Sequence, residues 1–353
     1  MYCLRKLKSL EVDQNLLQMF YSAMITTIIT FGITSWGGGI SKRDPDFRPT
    51  SIFYHGSKVG AGIWASNEIW ETIGEHYCVD ENTHMNTIAR LLLQDGNEQE
   101  RVMSIPGVHF RNFNPSPKQN KFSMVVCAYN LMEQPSSEDR IQLVQELWEM
   151  TQSYLVLIEV GTGAGFRLIN EARDILLKIS DQDNHEKTLS GHLFAPCPHD
   201  ELCPKSRVKN QQCLTECTMK NVDFTKKTVP EKSKSNVKYS YIIIKKGSRK
   251  TGTAWPRVLH QVKAQRHTHC HLCLPCGELQ HVIISKAKYE RHLYSCARHI
   301  NQGDFLPVSL NQDPVTEPPS EDSLPPSDGL SERQGDIQFS QTNKADDVII
   351  QQP

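Results

Sequence analysis

From residue 51 onward the chain alternates short apolar runs with amphipathic stretches. Residues 51–54, 76–80, 108–113, 122–129 and 154–160 read as strands, and 239–245 as a late one. Between them, residues 63–73, 85–93, 136–151 (with Ser136 at its cap) and 166–177 carry helical spacing. Strand–helix alternation of this kind predicts an α/β fold, a mainly parallel sheet covered on both faces.

The ends read differently. Between Asp13 and Lys42 there is no charge, and residues 16–36 are mostly apolar. Residues 1–48 resemble the C-terminal tail of LINE-type reverse transcriptases (LRKLKSLEVDQNLLQMFYSAM…SWGGGISKRD) and read as a segment unrelated to the rest of the chain. A membrane helix is the competing reading, since about 20 apolar residues suffice to span a bilayer. No transit peptide is recognisable. Residues 303–353 are dominated by Pro, Ser, Asp, Glu and Gln and read as a disordered acidic tail. The expected organisation is therefore 1–48, a sheet domain over 51–190, a cysteine-rich basic part with late strands over 191–302, and the tail.

Net charge is only −1, but residues 205–266 hold 16 Lys or Arg against three acids, and residues 304–353 hold ten acids against two bases. A basic surface able to neutralise phosphate is expected from the first stretch. The bland alternative is a solvated linker.

Two glycine loops compete for a nucleotide-type cofactor. Glu159-Val160-Gly161-Thr162-Gly163-Ala164-Gly165 fits the E-x-G-x-G-x-G pattern of S-adenosylmethionine enzymes. Chain order favours the other loop. An acid at the end of the next strand should come about 20 residues after the first loop. Asp80 does so after Gly56 and Gly60, whereas no second strand comes between Gly165 and the cysteines. Gly56, Gly60 and Asp80 are thus the candidate cofactor residues, and Gly161–Gly165 reads as a turn that packs a helix on the sheet. Tyr54 stands where such loops open with an acid, and Lys58 where glycine allows close approach. No catalytic arrangement is evident. The loop after Val126 lacks an Asn-Pro-Pro-Tyr type site, and Cys127 reads as a small core residue.

Eight of the eleven cysteines fall between Cys197 and Cys296. Clustering beside histidines favours reduced thiolates holding metal over disulfides. Proline after Cys197 and Cys203 leans toward a [4Fe–4S] cluster; Cys270-x-x-Cys273 beside histidines suits Zn²⁺ equally. Spacing leaves both open.

His192-Leu193-Phe194-Ala195-Pro196-Cys197-Pro198-His199, Trp255-Pro256-Arg257, His269-Cys270-His271-Leu272-Cys273 and Leu293-Tyr294-Ser295-Cys296-Ala297-Arg298 together resemble the mitochondrial methyltransferase-like protein 17 family. The likeness runs from about Phe53 to Asp304. It implies a class I methyltransferase (Rossmann-like) domain that is catalytically inactive and acts in the mitochondrial matrix. It also implies a monomer bound to the immature small ribosomal subunit and its rRNA, with no membrane partner. By motif, the family's cluster ligands fall on Cys197, Cys203 and Cys270, with Cys213 as the fourth and Cys217 its rival. Cys273 and Cys276 are then surplus. The family has Asp and Gly where Tyr54 and Lys58 stand, which argues against S-adenosylmethionine, and Ser295 replaces the Arg of its Leu-Tyr-Arg motif. Two other readings stay in view: an active S-adenosylmethionine-dependent rRNA methyltransferase, and a zinc-binding RNA module.

Overall fold

The computed structural model describes residues 40–308 apart from 42, 57, 58, 95, 98, 100, 101, 183–189, 209, 210, 221–233 and 250–254. Of the segment 1–48 read as unrelated to the rest, residues 1–39 and 42 lie outside the described residues, as do the tail beyond 308 and Lys58; of the remainder, Ile40 is fully buried and Asp44 pairs with Lys245.

Five parallel strands make the centre: β1 (Ser51–His55), β2 (Glu75–Val79), β3 (Val108–Arg111), β4 (Phe122–Ala128) and β5 (Thr151–Val160). Helices α1 (Ala61–Ile69), α2 (Thr83–Leu93), α3 (Ser137–Met150) and α4 (Gly163–Gln182) come after β1, β2, β4 and β5. Three more strands complete the sheet: β6 (Gly191–Ala195), β7 (Thr215–Lys220) and β8 (Lys234–Lys246). The order is β3-β2-β1-β4-β5-β8-β6, with β7 also paired to β8. β8 runs antiparallel to both β5 and β6. A parallel sheet with its last strand reversed and slotted between the fifth and sixth is the class I methyltransferase arrangement.

Side-chain alternation sorts two cores. Met124, Val126, Tyr154, Val156 and Ile158 face one side with Ile63 of α1 and Ala89 and Leu93 of α2. Val125, Cys127, Leu155 and Leu157 face the other with Leu143, Leu147 and Trp148 of α3 and Ile169 and Leu176 of α4. Every residue of β4 is buried, as a central strand covered on both faces requires. Cys127 is a core residue, and burial pushes its thiol up. Ser136 caps α3: its hydroxyl accepts from the Asp139 amide at 3.1 Å and donates to the Asp139 carboxylate at 2.8 Å.

The expectation that no strand lies between Gly165 and the cysteines is corrected by β6. Its His-Leu-Phe-Ala run has no β-branched residue, so it reads as part of the cysteine loop. It joins the sheet at the edge beyond β8, and β1 remains the strand between β2 and β4.

The second sheet is three-stranded and antiparallel: β9 (Arg257–Lys263), β10 (His267–Cys273) and β11 (Leu279–Ser285), ordered β11-β10-β9. Helix α5 (Arg291–His299) packs on it through Leu293 and Ala297, and Thr268, Cys270, Leu272, Val282 and Ile284 are buried. No described helix is long and apolar enough to cross a membrane.

Candidate functional site

The loop after β6 is fastened before it carries any chemistry. Arg173 of α4, 1% exposed, donates from Nη2 to the carbonyls of Asp200, at 3.1 Å, and Glu201. The Asp200 carboxylate accepts from the Leu193 amide at 2.7 Å and takes both arms of Arg249, at 2.8 and 3.0 Å. The Cys203 carbonyl receives the Ser206 amide (3.0 Å) and hydroxyl (2.7 Å), closing a 3-10 turn over Pro204–Arg207. His199 then reaches across: its Nε2 hydrogen-bonds Cys273 Sγ at 3.3 Å, joining this loop to the end of β10.

Cys197, Cys203, Cys213 and Cys273 line one cavity, with Lys205 and Arg257 beside them. Of the four expected ligands, three are therefore together and Cys270 is not among them; Cys273, expected to be surplus, stands there instead. The physical reason is the pleat: residues three apart on a strand point to opposite faces. Cys270 is fully buried on the α5 side of β10, and burial alone raises its pKa. Cys217 lies in β7 and packs against the first core; Cys276 and Cys296 are exposed.

Burial, and then the neighbouring thiols Cys213 and Cys203, push Cys197 far up and Cys273 up to about 12. Mutual repulsion of this kind is relieved when a cation takes the thiolates. The cavity they help to line has a volume of about 10 Å³, roughly one water's worth. Among the described residues, no three Cys, His, Asp or Glu side chains converge as ligands of one ion. The donor set is all sulfur with cations around it, which is chemistry a thiolate-held iron–sulfur centre uses.

The glycine loop after β1 sits at the point where the sheet order reverses, with β2 on one side and β4 on the other. Gly56 has φ +70°, its amide donates to the Val79 carbonyl at 3.0 Å, and a side chain there would meet Asn130 at 2.8 Å. Gly60, φ +74°, precedes α1. Asp80 directly follows β2, and its carboxylate accepts from the Asn82 amide at 2.9 Å, at the start of α2. The second loop is used for packing: a Cβ on Gly165 would lie 2.1 Å from the Val160 carbonyl oxygen, and one on Gly161 2.3 Å from the Lys238 backbone. Glu159, fully buried, accepts from the amides of Leu131 (2.9 Å) and Met132 (3.2 Å) and so ties β5 to the loop after β4.

Tyr54 does not reach the ligand end of the sheet. It is buried on the α1 face, with its hydroxyl bonded to Ser66 Oγ at 2.6 Å and His76 Nδ1 at 3.1 Å. Burial lowers His76 from 6.5 to about 4. The unfolded chain therefore binds an extra proton between those values, and stability is lost as pH falls through that window. The loss should be on the order of 2–3 kcal/mol. Urea midpoints at pH 7 and pH 4 should differ less in His76→Phe than in the parent; an unchanged difference would remove His76 as the cause.

Where it is described, the basic stretch 205–266 divides between groups with partners in the fold and exposed ones such as Arg207, Lys263 and Arg266. In the described part of 205–266, Arg257 is buried, Lys245 pairs with Asp44, and Lys246 lies 3.7 Å above the Trp148 ring. Arg249 and Lys238 are paired with Asp200 and Glu216. Positive charge also gathers around a cleft of about 840 Å³ between the β10–β11 ends and α5, lined by Arg266 of that stretch and by Lys286, Arg291, Tyr294, Arg298 and His299.

The model of the family described as mitochondrial small ribosomal subunit Rsm22 matches residues 33–307. The chain belongs to the Rsm22 family. It is 38% identical over 283 residues to the Homo sapiens ribosome assembly protein METTL17, mitochondrial, across 80% of this chain and 60% of that protein. Identity is 27% over 304 residues to the Schizosaccharomyces pombe Rsm22-cox11 tandem protein 1, mitochondrial, across 76% of this chain and 40% of that one. This Rsm22 member thus spans 40–60% of the length of those relatives. Among solved structures, the plantazolicin methyltransferase BpumL is 8% identical, with a TM-score of 0.39 over 67% of this chain and 91% of that one.

Proposed function

We propose that this chain is an assembly factor of the mitochondrial small ribosomal subunit, acting in the matrix as a monomer bound to that subunit, and that its sheet is a scaffold rather than an enzyme. In this reading Cys197, Cys203, Cys213 and Cys273 hold a [4Fe–4S] cluster. The observation that carries it is four thiols, from segments about seventy residues apart, lining one cavity in a member of the Rsm22 family. The cluster's contribution is structural: it ties the loop after β6 to the end of β10, and binding is coupled to folding. Arg173, His199 and Arg249 position the loop for it. Iron and sulfide analysis of anaerobically purified protein tests this. Zinc in place of iron would favour the zinc-binding RNA module.

Contact with rRNA is assigned to the cleft of Arg266, Lys286, Arg291 and Arg298, with Tyr294 available for stacking on an unpaired base. Lys286 and Arg291 are exposed, so reversing both leaves the core intact. Lys286→Glu/Arg291→Glu should lower the salt slope of binding to a small-subunit rRNA fragment by about 2. A variant with the parent's affinity and slope would move the contact elsewhere.

Methyl transfer from S-adenosylmethionine is the second reading, favoured by Gly56, Gly60 and Asp80 lying at the sheet's reversal point. The buried Tyr54 supplies no acid there. Calorimetric titration with the cofactor separates the two, and a micromolar dissociation constant would establish the enzyme reading.

A further inference from the structure

The face of β10 that carries Cys273 also carries a group of side chains that the cluster and the cleft do not use. His269 and His271 stand two apart on β10 and project to the same side. His271 pairs in register with His281 of β11 on one flank and His260 of β9 on the other. The rings are packed together: His271 stacks on His281 at 4.5 Å with planes 9° apart, and His269 on His281 at 5.1 Å. His260 lies 5.9 Å from His271. None of these imidazoles lines the cysteine cavity.

We propose that this histidine face binds a divalent transition-metal ion, with His269 Nδ1 and His281 Nε2 as the first two ligands and His271 as the third. Those two nitrogens are already 3.0 Å apart. Two imidazoles on one tetrahedral ion, each bonded at about 2.0–2.1 Å, place their nitrogens about 3.3 Å apart. Alternate residues on one strand plus a partner across the ladder bring three imidazoles within reach of one point, because a strand's side chains repeat every second residue and cross-strand neighbours are close. With the rings stacked, no three of the described side chains converge; turning His271 about its side-chain bonds is the change the third ligand requires. Ligation replaces the His269–His281 hydrogen bond. The ring that donates shifts its proton to its other nitrogen, so no net proton is released.

Ligand chemistry narrows the ion. None of the three strands contains Asp or Glu, so hard oxygen-seeking cations such as Ca²⁺ and Mg²⁺ have nothing to bind. Neutral imidazole, the ordinary form at neutral pH, suits zinc, cobalt, nickel and copper.

The test is Co²⁺ titration of the full chain with its cysteine centre filled, read by calorimetry and visible absorption. Binding of one equivalent, with weak metal-centred bands and no strong sulfur charge-transfer band, is the expected result. His269→Gln/His281→Gln should weaken it at least about tenfold. His281 is exposed and His269 half-buried, so the thermal midpoint should hold. No saturable uptake, uptake with sulfur charge transfer, or equal affinity in the double variant would each overturn the proposal.

Discussion

Cys273→Ser is expected to empty the cysteine centre and lower the thermal midpoint by about 10 °C, while Cys270→Ser leaves the centre filled. Cys273 lines the cavity with Cys197, Cys203 and Cys213, and its sulfur is already in contact with His199 of the opposing loop. Removing one thiolate of four sacrifices a large part of a binding energy that is also folding energy, about 3–5 kcal/mol. For a domain of this size each kcal/mol moves the midpoint by about 2–4 °C. Cys270 is buried against the α5 side of the sheet, so exchanging its sulfur for a hydroxyl costs about 1–3 kcal/mol of desolvation and no ligand. Iron content and the melting curve of the two variants read the difference. A filled centre in Cys273→Ser, or an empty one in Cys270→Ser, would restore Cys270 as a ligand in place of Cys273.

Arg173→Ala should destabilise the fold by about 3 kcal/mol and cut metal occupancy without touching a ligand. The guanidinium is buried, pairs with Asp174 at 2.7 Å, and supplies the donors for two carbonyls between Cys197 and Cys203. Truncation leaves those acceptors unpaired and a void beneath the loop. Arg173→Lys should rescue little, because an ammonium cannot reproduce the planar fork. Arg140→Ala is the matched control on the neighbouring helix. Its 3.3 Å pair with Glu171 is partly exposed and is worth less than about 1 kcal/mol. Equal losses from Arg173→Ala and Arg140→Ala would show that the loop does not depend on Arg173.

Much of the sheet was legible because its strands are locally explicit. Phe122–Ala128 and the apolar end of Thr151–Val160 are buried on both faces, and their continuous apolar runs say so. The order of the glycine loops came from the spacing of Asp80 after Gly56, and β1 indeed lies at the reversal point. The second sheet was not read. β10 alternates His, Thr, His, Cys, His, Leu, Cys, so its strand period hides behind residues that suggest ligands, and α5 is too short and polar to announce itself. Counting charge likewise cannot see that Lys245, Lys246, Arg249 and Arg257 have partners or burial within the fold while Arg266 lines the cleft.

The amino-acid sequence by itself determined the α/β class, the central strands and their helices, and the two cysteine-bearing segments, because each rests on a pattern within one stretch of chain. Only the tertiary structure decided which thiols meet, which histidines share a face and where positive charge collects. These depend on register between distant segments, and a strand's neighbouring residues point to opposite sides, so a shift of one position exchanges every side chain presented to the site.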